Sequence, residues 1–292
     1  MPQNLLPLVT AELTAPADPR AAAMAGALAA QYPGASRTVL FYGSCLREQT
    51  LDGLMLDFYL IVSDYRAAYG TTWLASANRL IPPNVFPFEH GGLIAKYAVL
   101  SEADFARLTS PAADNVSVWA RFAQPARLLW AADDLARQRA IAAVASATPT
   151  LLSLALPMAV GEGDVLSLWR TGFTLTYNAE LRAEKKGRSL SIVDADPDRY
   201  RSFGEAALAQ GLPPSPTDAA GRWRQLRRRG KRLSVLRLAK ASFTYAGGID
   251  YLAWKINRHA GTAIEIRPWQ RRWPLLGALT LLPRLFRGGA IR

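Results

Sequence analysis

At 292 residues, half of them hydrophobic and a fifth charged, the chain is long enough for one large domain or two ordinary ones and has no disordered signature. Its single cysteine, Cys45, excludes an internal disulfide and a cysteine-built zinc site. With only His90 and His259 as histidines, a metal would have to be held by carboxylates, which select hard cations such as magnesium. The net charge of +12 asks for an anionic partner: nucleic acid, anionic lipid or a phosphorylated small molecule.

The N-terminal stretch MPQNLLPLVTAELTAP lacks the basic start and apolar core of a secretory signal. Pro19–Tyr32 is alanine-rich and predicts a helix, stopped by Pro33-Gly34. Arg37–Tyr42 predicts a short strand that runs into Gly43-Ser44. Leu54–Ser63 (LMLDFYLIVS) is a continuous apolar run broken by one acid, Asp57, the mark of a buried central strand. Val85–Glu89 and Gly92–Leu100 predict two more strands, joined through His90-Gly91, and Ser101–Leu108 opens like a capped helix.

Beyond about residue 130 the pattern turns helical. Asp133–Ala147 and Asp164–Lys186 have helical spacing with acids early and bases late, as the helix dipole favours. Leu151–Val160 is apolar but well short of the roughly 20 residues of a membrane span, so no spanning helix is expected. Pro213–Pro216 marks a loop before the basic stretch Arg222–Arg237, and Leu233–Ser242 and Ile249–Arg258 predict helices separated by Gly247-Gly248. The expected organisation is an α/β domain over 1–130, a mainly helical domain over 131–260 and a basic, aromatic segment over 261–292.

A strand entering Gly-Ser, followed by a second strand with an inward acid, is the arrangement of a nucleotidyltransferase-fold mixed sheet. Gly43 would let the backbone approach a triphosphate, and the Ser44 hydroxyl could bond its oxygens. Asp57 would hold magnesium against the same phosphates, with Asp52 in the connection as a candidate second ligand. The alternative is a tight turn beside a solvated aspartate. Against that, an unpaired carboxylate among ten largely apolar residues would be expensive, so Asp57 needs a partner.

The stretches Tyr42–Gln49 (YGSCLREQ), Met55–Val62 (MLDFYLIV), Pro82–Val85 (PPNV), Ala95–Ser101 (AKYAVLS), Arg121–Leu128 (RFAQPARL), Thr176–Arg182 (TYNAELR) and Leu238–Lys255 (LAKASFTYAGGIDYLAWK) follow one another in an order that resembles the mitochondrial-type phosphatidate cytidylyltransferases, the translocator assembly and maintenance family. The resemblance covers most of the chain and thins at the N-terminus and after about residue 260. Cys45 stands where the family usually has glycine, and Ala179-Glu180 where it has glycine-aspartate. The resemblance implies a Mg2+-dependent enzyme that makes CDP-diacylglycerol from CTP and phosphatidic acid. Gly43, Ser44, Gln49, Glu180 and Arg182 would bind the nucleotide, Asp57 and Asp52 the metal, and Asp57 and Lys96 would be catalytic. Lys96 could equally be an edge-strand lysine that discourages aggregation. Other readings stay open: a different acceptor (another lipid phosphate, a protein or RNA), or a non-catalytic basic scaffold.

Arg222–Arg237 could meet nucleic acid, anionic lipid or only water. Trp223 is its sole aromatic, which argues against base stacking and hence against nucleic acid. The tail Arg267–Arg292 mixes Trp269, Trp273 and Phe286 with leucines and arginines, and Pro274 and Pro283 interrupt it. That composition suits the interface of an anionic membrane surface, or a terminal helix docked on the core. The expected location is cytoplasmic, peripheral on the inner face of the cell membrane.

Overall fold

The computed structural model describes residues 4–48, 50–70, 72–159, 163–180, 192–244 and 265–272. Its strands are Ser36–Tyr42 (β1), Met55–Val62 (β2), Asn84–His90 (β3), Leu93–Ser101 (β4) and Ala126–Ala131 (β5). They form one sheet in the order β3-β4-β2-β1-β5, so the run containing Asp57 is the middle strand, as its apolar composition predicts. β2 and β4 are parallel and the other neighbours antiparallel, which makes the sheet mixed.

Helices Leu5–Thr14 (α1), Pro19–Ala30 (α2), Ser44–Glu48 (α3), Tyr65–Tyr69 (α4), Thr72–Leu80 (α5), Glu102–Thr109 (α6) and Trp119–Phe122 (α7) interleave with the strands. Asp134–Ala145 (α8), Ala147–Ala155 (α9), Val165–Ala179 (α10), Pro197–Ala209 (α11), Ala219–Thr244 (α12) and Pro268–Arg272 (α13) follow them. Side chains at the helix starts close the first turns. Asp18 accepts from Arg20 N at 2.8 Å, Ser101 from Asp104 N at 3.2 Å, Asp133 from Ala136 N at 2.7 Å and Asp164 from Ser167 N at 2.8 Å.

Strand alternation divides the interior into two cores. Val39, Phe41, Leu56, Phe58, Leu60, Tyr97 and Val99 pack under α2 with Cys45 and Tyr65. Leu40, Tyr42, Tyr59, Ile61, Ala98 and Leu100 face the other way, into a larger core with Trp119, Trp169, Phe173, Tyr200, Trp223 and Leu226. Residues of the front and back halves therefore share one apolar cluster.

Several elements differ from expectation. α1, β5 and α11 have no counterpart among the expected elements, although α1 buries Leu5, Val9 and Leu13 at helical spacing. The basic stretch and the helix expected over Leu233–Ser242 are one 26-residue helix, α12, because nothing between them breaks it. Its mid-helix glycine, Gly230, is a packing device: a Cβ there would come within 2.2 Å of the Ala179 carbonyl oxygen at the end of α10. α10 ends at Ala179 with Glu180 extended behind it, earlier than the Lys186 expected. The run Asp134–Met158 is long and apolar enough to pass for a span by composition, but it breaks at Ser146 and more than half of it is buried in the protein. The helix expected over Ile249–Arg258 and most of the tail lie outside the described residues.

One ion pair pins the N-terminal helix to the helical half. Arg199 donates from its NH2 group to Glu12 Oε1 at 2.9 Å and from NH1 to the Ala123 carbonyl at 3.1 Å. Their side chains are 7% and 13% exposed, and the guanidinium lies 4.2 Å from the Phe203 ring centroid. Arg199→Met strands Glu12 in a dry site and is expected to cost about 3 kcal/mol in urea denaturation, whereas Glu12→Leu with Arg199→Met recovers most of the loss.

Candidate functional site

β1 ends at Tyr42, and the chain turns at Gly43 with φ +98°, backbone that side-chain-bearing residues rarely adopt. Ser44, half-buried, then opens α3. Asp57 lies directly across from Tyr42 on one side and from Lys96 on the other. By strand parity its side chain shares the face of Tyr59 and Ile61, the face that the helical half covers.

The Lys96 ammonium is 2.9 Å from Asp57 Oδ1, and a Cβ at Gly43 would stand 2.8 Å from Asp57 Oδ2. The carboxylate is thus held between a lysine and a bare stretch of backbone. The partner that an acid in an apolar strand requires is, in this structure, Lys96. β4 is an interior strand, so Lys96 is not the edge-strand lysine that the alternative reading made of it. Tyr97 points to the opposite face, where its hydroxyl meets that of Tyr32 at 2.8 Å.

Asp52 does not join the cluster. It is 77% exposed and accepts from Arg20 NH1 at 2.7 Å, because its turn packs toward the first turn of α2. Among the described residues no group of three or more His, Cys, Asp or Glu is arranged to hold a metal. Gln49 and Arg182 lie outside the described residues. Glu180, 10% exposed, accepts from the Ser117 hydroxyl and lies 3.9 Å from Arg237 NH1.

Arg121 on α7 belongs with these groups although only a quoted motif contained it. Its guanidinium lies 4.9 Å from the Tyr42 ring centroid, with NH1 3.5 Å from the Tyr42 hydroxyl. Burial opposes its charge, yet the fields of Tyr42, Tyr59, Glu180 and Asp57 hold its pKa above the usual arginine range.

α12 supplies the rest. Arg237 donates from Nε to the Pro82 carbonyl at 2.7 Å and from NH1 to Ser117 Oγ at 2.5 Å. Lys240, one turn on, donates to the carbonyls of Ile81 and Pro83. Arg222 and Arg229 fasten the opposite end, to the Ala113 carbonyl at 2.6 Å and to Asp114 Oδ2 at 2.5 Å. Burial lowers the Arg237 pKa, with Arg121 adding to the effect and Glu180 resisting it. Trp223 and Arg237 are about four turns apart, so the helical period places them on one side. Reading that period through the basic run is the signal that singles Arg237 out from its solvated neighbours.

No protein-family model matches the chain, and a search of curated proteins gives no match. The family resemblance therefore rests on the motifs themselves.

Gly43→Ala is expected to cost ~1–2 kcal/mol in urea denaturation from the backbone alone. Combined with Asp57→Ala the loss should be smaller than the sum, since the carboxylate it strikes is gone. Lys240 gives a pH signature. Burial, and then the neighbouring Arg237, pull its pKa down to about 7, so between there and its unfolded value near 10.5 only the unfolded chain binds the proton. Stability should therefore rise as pH rises through that window, by up to a few kcal/mol at about 1.4 kcal/mol per pKa unit. Thermal melts of Lys240→Met across the same range should lose that slope.

Proposed function

We propose that this chain is a magnesium-dependent CTP:phosphatidate cytidylyltransferase with a nucleotidyltransferase-type core, peripheral on the inner face of the cell membrane. The observation that supports this most is the packing of Asp57 against Gly43, with Lys96 on the other carboxylate oxygen. It puts a fixed acid, a fixed cation and a glycine-serine turn together on three neighbouring strands, β1, β2 and β4. The motifs that carry the family resemblance supply the nucleotide and the acceptor.

Magnesium suits this donor set. It commonly takes one or two protein carboxylates and completes its shell with substrate phosphates and water, so Asp57 would hold it without a carboxylate cage. When bound, it would neutralise charge on the α-phosphate and on the departing pyrophosphate. Gly43 admits the triphosphate close to the backbone, and Ser44 donates its hydroxyl to a phosphate oxygen. Lys96 and Arg121 supply fixed positive charge where negative charge accumulates, at no cost of reorganisation.

A phosphate oxygen of phosphatidic acid forms the new bond to the α-phosphorus of CTP. The bond from that phosphorus to the bridging oxygen breaks, and pyrophosphate leaves with the electron pair. The attacking oxygen is already ionised, so no general base is needed. Glu180 acts at one remove, holding Ser117 and Arg237 beside Arg121. Gln49 and Arg182 are proposed as nucleotide contacts on the resemblance alone.

Labelled CTP, magnesium and phosphatidic acid liposomes should yield a lipid-extractable labelled product. Asp57→Asn should lower its rate about a thousandfold, the several kcal/mol that metal-assisted charge neutralisation supplies. Label transferred to RNA instead, or turnover untouched by Asp57→Asn, would sink this reading.

A further inference from the structure

Two helices joined at the segment Ile81–Pro83 each expose apolar and basic side chains. α5 exposes Trp73, Arg79 and Leu80, with Trp73 55% and Leu80 77% exposed; the two are seven residues apart and lie on one face of the helix. α12 exposes Arg228, Arg232 and Leu236 at four-residue spacing, and Leu236 is 47% exposed.

The connection between them is fixed. Arg237, next to Leu236, bonds the Pro82 carbonyl, and Lys240 bonds Ile81 and Pro83, the segment that follows Leu80. Asn78, fully buried on α5, donates to the Val99 carbonyl at 2.9 Å and accepts from Asn84 N, which ties α5 to the sheet. The segment after α5 and the turn of α12 that holds Arg237 and Lys240 therefore form one rigid junction, and the two helices that meet there leave Trp73, Leu80 and Leu236 exposed to water.

We propose that this surface, built from Trp73, Leu80 and Leu236 with Arg79, Arg228 and Arg232, docks the protein on an anionic lipid bilayer. Leucine and tryptophan suit insertion at the headgroup boundary, and arginines suit the lipid phosphates around them. Nucleic acid fits less well. Trp223, the one aromatic within the basic stretch, is buried, and exposed leucines gain nothing from a phosphate backbone. The patch uses no residue of the segment 261–292. It rests on the membrane placement in the proposed function, but vesicle binding needs no CTP, so its failure is distinguishable from a failure of cytidylyl transfer.

Flotation of the full chain, without CTP, tests it on vesicles of phosphatidylcholine alone and with phosphatidylglycerol added. The wild type should bind the second far better. Arg79→Gln, Arg228→Gln and Arg232→Gln together should weaken binding by about fivefold for each arginine removed. Trp73→Ser, Leu80→Ser and Leu236→Ser together should abolish it, with thermal melts checking that both variants fold. Cys45, the sole cysteine, is buried, so Leu80→Cys can carry an environment-sensitive dye. Its emission should shift to the blue on anionic vesicles. Unchanged binding by both triple variants, an unshifted dye, or wild-type chain that ignores vesicles while the arginine variant loses affinity for single-stranded RNA would overturn the proposal.

Discussion

A carboxylate on the middle strand of a sheet has to be compensated, and at Asp57 the compensation comes from the neighbours on both sides. The parallel partner β4 delivers Lys96 at 2.9 Å, and the antiparallel partner β1 is followed by a residue without a side chain, Gly43. A larger residue at Gly43 would drive into the carboxylate, and a neutral one at position 96 would take away its ion pair. The order of the sheet and the composition of the site are thus one constraint. With β2 between β1 and β4, Asp57 meets Lys96 on one side and Gly43 on the other.

The helical half answers the same constraint from above. Its apolar side chains cover the sheet face that Asp57 and Lys96 share, and it brings a second set of buried charges with it. Glu180 and Arg237 meet through Ser117, Arg237 is held further by the Pro82 carbonyl, and Arg121 lies against Tyr42. Removing any one of them exposes the others to an uncompensated desolvation cost. Gly230 matters because it sets how closely α12 can lie against the end of α10, and so whether Arg237 reaches Glu180.

α12 illustrates how one helix divides its labour by period. Trp223, Leu226, Gly230 and Lys240 face inward, while Arg224, Arg228 and Arg232 face solvent. Read as composition, Arg222–Arg237 is a uniform basic run. Read at the helical period, it is an apolar and hydrogen-bonding seam backed by a cationic stripe.

Local pattern alone sufficed for the strands β1 to β4, for the helices α2, α6, α8 and α10 with the Ser101 cap of α6, and for a glycine at the end of the strand beside Asp57, because these depend on apolar runs, helical spacing and turn residues. It also demanded a partner for Asp57, from the price of a lone carboxylate among apolar residues. Only the tertiary structure decided that the partner is Lys96, since strand order is a non-local choice that no window of sequence contains. The same holds for Asp52, which a surface arginine 32 residues away draws aside. It holds too for Arg121 and Arg237, ordinary cations in the sequence that become site residues only when folding strips water from them and sets them against Glu180.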